Sequence, residues 1–168
     1  MKAREFIPEA LPTVTRLGPQ LYAPNPKQMQ ESLALKPRAA RWTSTAQQTE
    51  QGWTSAWVKW AQAEMPNWVG GEGIVYDVAP GAKILSINSD RDAIRVAKHY
   101  GVEINSVIDL FEKMPWQAVA KDYDAVHHQP SGGGDMYMST WDVESTAWFD
   151  SSSLIRPRRV GLVAADES

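Results

Sequence analysis

Six of the eleven prolines, Pro8, Pro12, Pro19, Pro24, Pro26 and Pro37, fall in the first 37 of 168 residues. Each fixes φ and removes a backbone donor, so helices and central strands are interrupted there. Residues 1–38 therefore read as an extended Pro-rich arm. Within it Gln20-Leu21-Tyr22-Ala23 is a candidate strand, stopped by Pro24-Asn25-Pro26. Regular structure has to come mainly from residues 39–155, with 156–168 as a basic, flexible tail. A chain of this length buries one core and is expected to be a single domain.

The sequence contains no cysteine, so disulfides, thiol nucleophiles and Cys-ligated metals are excluded. No apolar run approaches a membrane span, and the opening residues lack the apolar stretch of a signal peptide, which makes a cytoplasmic protein the simplest expectation. Charge is uneven. Residues 1–41 hold seven Lys/Arg against three Glu, net +4, whereas residues 42–155 hold seven against fifteen Asp/Glu, net −8. An acidic body repels phosphate backbones, so general nucleic-acid binding is not expected, although Arg156, Arg158 and Arg159 offer a local cationic patch.

From Ala39 to Thr43 the pattern is a strand, and Ser44–Gly52 is polar and loop-like. Trp53, Trp57, Trp60, Ala61 and Glu64 recur at helical spacing, so the sequence predicts a helix over 55–64, capped by Thr54 or Ser55, with a tryptophan stripe as its core face. Ile74–Val78 and Lys83–Asn88 are strands joined by a Pro80-Gly81 turn. Ser89 with Asp92 resembles a capping box and Gly101 a helix stop. Helices over 106–114 and from Pro115 to Ala120 follow. Strands are expected again at 124–128, 136–141, 144–149 and 160–164. The order of elements indicates an α+β class with mixed or antiparallel sheets and a few packed helices.

Familiar catalytic signatures are absent: there is no phosphate-binding G-x-x-x-x-G-K-[ST], no H-E-x-x-H and no G-x-S-x-G. Gly132-Gly133-Gly134 reads as a hairpin loop or, alternatively, a phosphate cradle. His127 and His128, adjacent on a strand, point to opposite faces and cannot form a metal site as a pair. One is expected in the interior, and His128 facing a cleft would be an acid or base. Asp142 and Glu144, two apart on a strand, would share a face, either as solvated carboxylates or as a pair that raises a pKa. Thr43-Ser44-Thr45 ends a strand in three hydroxyls, which either cap it or orient a sugar or a carboxylate.

Residues 20–150 resemble the ADP-ribosyltransferase-like family of bacterial toxins, effectors and phage proteins. Thr43-Ser44-Thr45, followed by a helix, is similar to the family's Ser-Thr-Ser motif, and Asp142-Val143-Glu144 to its late Glu-x-Glu. The strand pair 74–88 and Asp122–Val126 are similar to connecting strands. The resemblance implies NAD as substrate, no metal, and glycosyl transfer of ADP-ribose to a macromolecule, most plausibly a protein, in a phage-encoded or intracellular effector setting. It implies that Glu144 accepts a hydrogen bond from the nicotinamide ribose, Asp142 orients the acceptor, Ser44 holds Glu144, and Tyr22, Arg41, Trp42, Thr43, Ser44 and Thr45 surround the cofactor, with Tyr22 or Trp42 stacking on nicotinamide. A fixed carboxylate suits an oxocarbenium-like transition state. Asp135 is a rival for the late carboxylate. Ala23 stands where family members place Arg or His, leaving Arg16 and Arg41 as the nearest substitutes. Two other readings remain: a non-catalytic binding or inhibitor protein with a Trp-rich surface, and a structural phage protein that forms oligomers.

Overall fold

The computed structural model describes residues 11–14, 16–23, 36–37 and 40–166. Most of the Pro-rich arm, and Ala39 at the start of an expected strand, lie outside them. The described residues form one α+β domain around a seven-stranded mixed sheet. Its strands are β1 (Gln20–Tyr22), β2 (Arg41–Thr45), β5 (Glu72–Val78), β6 (Ile84–Ser86), β7 (Ala125–His128), β8 (Ser145–Trp148) and β9 (Leu154–Gly161), in the order β6-β7-β8-β2-β1-β5-β9. Only β6 and β7 run parallel. A separate hairpin joins β3 (Gln47–Thr49) to β4 (Gly52–Thr54).

Period-2 alternation gives the sheet two unlike faces. Leu85, Val126, Ala147, Trp42, Ser44, Leu21 and Val75 follow one another across the register on one face. Helices α2 (Asp90–His99), α3 (Leu110–Lys113) and α4 (Trp116–Asp122) cover part of it, through Ala93, Val96, Ala97, Leu110, Trp116 and Val119. Helix α1 (Ala56–Glu64) covers Leu21 and Val75 with Val58. The opposite face carries polar groups through its middle: His127, Thr146 and Thr43 lie in one cross-strand row, and Thr45 and Gln20 pair beside it. All but Thr45 are buried.

The helices follow local chemistry. Ser55 caps α1 by accepting from the Val58 N–H, and Ser89 caps α2 by accepting from Asp92. Gly101, at φ 79°, ends α2 in the left-handed region. The tryptophan stripe is only half-buried, and the fully buried positions of α1 are Val58 and Ala61, because the small and branched side chains sit closest to the sheet.

Five expectations are corrected. The strands at 74–78 and 83–88 are not partners: β6 lies at one edge of the sheet and β5 beside the other. Residues 44–52 are not a loop, since β2 continues to Thr45 and a hairpin follows. Residues 106–114 form a 3-10 turn (Val107–Asp109) and a single turn of α-helix rather than one continuous helix. Residues 136–141 are not a strand; Met138–Trp141 is a 3-10 turn, because Asp90 pins three successive backbone N–H groups there. Residues 156–161, assigned to the tail, continue β9 along β5.

Candidate functional site

Strand β2 ends where β8 begins, and the hydroxyls of β2 converge on the carboxylate that precedes β8. Glu144 Oε1 accepts from Ser44 Oγ (3.0 Å) and from the Thr45 backbone N–H (2.7 Å). Its Oε2 accepts from Thr45 Oγ1 (2.9 Å) and lies 2.9 Å from His127 Nε2. Ser44 Oγ in turn accepts from the Trp57 N–H in the first turn of α1 (3.3 Å). Glu144 is 7% exposed. Burial pushes its carboxyl up, but the His127 hydrogen bond, the Thr45 N–H and the Thr45 hydroxyl outweigh it and hold the group below the ordinary 4.5. The residue is therefore an ionised, fixed acceptor.

The donors form a directed chain. Trp148 Nε1 donates to Thr43 Oγ1 (2.7 Å), which donates to Gln20 Oε1 (2.8 Å). Gln20 Nε2 donates to Thr45 Oγ1 (3.4 Å) and to the Gly18 carbonyl (3.1 Å), and Thr45 Oγ1 donates to Glu144. Each link polarises the next toward the negative charge. Beyond this chain, Arg41 is exposed, donates to Tyr76 Oη (2.8 Å), and has its guanidinium carbon 5.2 Å from the Tyr22 ring and 5.9 Å from the Tyr76 ring.

The other sequence candidates lie elsewhere or play another part. Asp142 does not share a face with Glu144: it is exposed, adopts φ 60°, and ends the 3-10 turn before β8 begins, so strand alternation does not reach it. Asp135 accepts from the Asp90 N–H (2.9 Å) and Ser131 Oγ (3.1 Å), which ties the glycine loop to the start of α2. Trp42 faces the helices, edge-on to Trp141 at 4.8 Å, on the face opposite Tyr22. Ala23 is buried just past the end of β1, and Arg16 is exposed.

The two histidines do diverge. His128 Nδ1 donates to the Ile87 carbonyl (2.8 Å), and burial keeps its pKa below the ordinary imidazole value. His127, by contrast, joins Glu144. The pairing of His127 with Glu144 and the bridging role of Gln20 were not apparent from the sequence; the alternation of a His-His strand placed His127 on a face but named no partner. Among the described residues no cluster of three or more His, Asp or Glu is arranged to hold a metal ion, and no helix is long and apolar enough to cross a membrane.

No protein-family model, curated protein or solved structure matches the chain.

Proposed function

We propose that this chain is an ADP-ribosyltransferase-like domain that cleaves NAD and transfers ADP-ribose to a macromolecular acceptor, a protein. The observation that carries the reading is the convergence of Ser44 and Thr45, at the end of β2, on the Glu144 carboxylate. The two strands are neighbours in the sheet, and β1 lies on the other side of β2. A preorganised negative charge stabilises the positive charge that develops on the ribose as the bond to nicotinamide breaks, and removing such a group typically costs about 10²–10³ in rate. Glu144 carries that charge. Ser44, Thr45 and His127 hold it, while Tyr22 and Arg41 offer an aromatic and a cationic contact beside the same strand. Asp142 and Asp135 have no part in the chemistry.

The test is transfer of labelled ADP-ribose from NAD, in a bacterial lysate and in buffer, by wild type, Glu144→Gln and Asp135→Asn. Label that disappears with Glu144→Gln and persists with Asp135→Asn supports the reading. Absence of label and of nicotinamide release from the wild type refutes it.

Two observations favour a second reading, a non-catalytic binding protein. All four acceptor positions of Glu144 are occupied by the chain's own donors, and two shallow surface clefts, one near Thr49, Lys59 and Gln62 and one near Lys83, Lys121 and Asp150, exclude Glu144 and His127. On that reading Glu144→Gln leaves partner binding nearly intact.

A further inference from the structure

His127 has a second ring nitrogen that the Glu144 pairing leaves unused. An ionised carboxylate only accepts hydrogen bonds, so Nε2 carries a proton, and in that tautomer of imidazole the lone pair lies on Nδ1. Among the described residues Nδ1 has no partner. The side chain is 11% exposed, so the ring reaches the surface. Directly across the β7–β8 register stands Thr146, on the same face and about 5 Å away between Cβ atoms for such a pair. Its hydroxyl is fully buried and has no hydrogen-bond partner among the described residues. An orphaned buried hydroxyl calls for an explanation. Across the strand pair from it stands His127, and Thr43 and Thr45 follow on the same face.

We infer that His127 is the general base of the site, and that the nucleophile it activates is a hydroxyl: a water molecule or an alcohol-bearing acceptor, held between His127 Nδ1 and Thr146 Oγ1. This rests on the NAD reading above. In the step, the bond between ribose C1′ and the nicotinamide nitrogen breaks, and its electron pair leaves with neutral nicotinamide. The hydroxyl oxygen bonds to C1′ and passes its proton to Nδ1. The resulting imidazolium is paired with the Glu144 carboxylate and then returns its proton to solvent. The balance is NAD⁺ plus ROH giving ADP-ribosyl-OR, nicotinamide and H⁺. A hydroxyl nucleophile needs such a base because its conjugate acid is unstable, and general-base assistance is worth roughly 10²–10⁴ in rate.

The experiment measures nicotinamide release and ADP-ribosyl product with the full chain, for wild type and His127→Gln, with and without sodium azide. Glutamine places an amide N–H where Nε2 donates, which keeps the Glu144 contact, but it has no basic nitrogen. His127→Gln is expected to fall at least ~100-fold. Azide, already an anion and in need of no base, is expected to restore nicotinamide release to within a few-fold of wild type and to yield ADP-ribosyl azide. A His127→Gln protein at the wild-type rate, or a folded one that azide does not rescue, overturns the base assignment and leaves His127 as a positioning residue. A wild type that releases no nicotinamide overturns the NAD reading and this step with it. Ring nitrogen NMR separates the two failures: a proton on Nδ1 and none on Nε2 overturns the base assignment whatever the activity, whereas a proton on Nε2 alone supports it.

Discussion

Asp90 and Glu144 are buried to the same degree, 8% and 7% exposed, yet their donors differ in kind. Asp90 accepts from three consecutive backbone N–H groups, of Met136, Tyr137 and Met138, at 2.7–3.1 Å, and its own N–H is held by Asp135. Glu144 accepts from one backbone N–H and three side chains: Ser44, Thr45 and His127. Backbone donors fix the path of the chain and cannot change protonation state. Side-chain donors leave the path of the chain alone and make the charge adjustable. The first carboxylate builds the turn that leads into β8, and the second sits where that strand begins.

The largest effect expected from breaking this contrast is catalytic. Glu144→Gln should lower nicotinamide release from NAD by about 10³-fold, near 4 kcal/mol of transition-state stabilisation, with the protein still folded by circular dichroism. Next comes Asp90→Ala, which leaves three N–H groups without their acceptor. At 1–3 kcal/mol per buried orphan, the loss is roughly 3 kcal/mol or more. For a domain of this size that lowers the thermal midpoint by about 6–12 °C, which calorimetry measures directly.

Acid should then narrow the stability gap between the wild type and Glu144→Gln. The folded protein holds Glu144 below the ordinary value of 4.5, so the unfolded chain takes up the proton first as pH falls. The stabilisation is complete above the ordinary value and is lost as pH drops through the lower folded one. Urea midpoints across pH 7 to 3 should converge for the two proteins at the acid end, and a constant gap would contradict the account.

The remaining two changes sharpen the comparison by moving stability only slightly. Asp142→Gly should relieve the positive φ of 60°, raise stability by about 0.5–1 kcal/mol and leave nicotinamide release unchanged. Thr146→Val removes a buried hydroxyl that has no partner among the described residues, so folding should be neutral to slightly more favourable, within about 1 kcal/mol. Chemical denaturation resolves both.

What could be read from the sequence follows the range over which its signals act. Ser89, Asp92 and Gly101 bound α2 through contacts of a few residues, and the structure places that helix at Asp90–His99. The strand expected at 124–128 is found at Ala125–His128, a run of four buried residues. The partners of β5 and β6 were not evident, because a tight Pro-Gly turn suggests a hairpin while pairing is decided by distant strands. The expected strand at 136–141 failed because alternating apolar residues carry no sign of Asp90, some 46 residues away, capturing their backbone. Ser44, Thr45 and Glu144 stood out as a cluster of hydroxyls and an acid, whereas Gln20 and His127 join them only through strand register.

The most direct test of the central claim, that Glu144 is a chemical carboxylate and not a structural one, is nicotinamide release from NAD by the purified chain and its Glu144→Gln variant, at a temperature where both are folded. The account predicts release by the wild type and a loss of about 10³-fold in the variant. Equal rates in the two proteins, or no release from either, would contradict it.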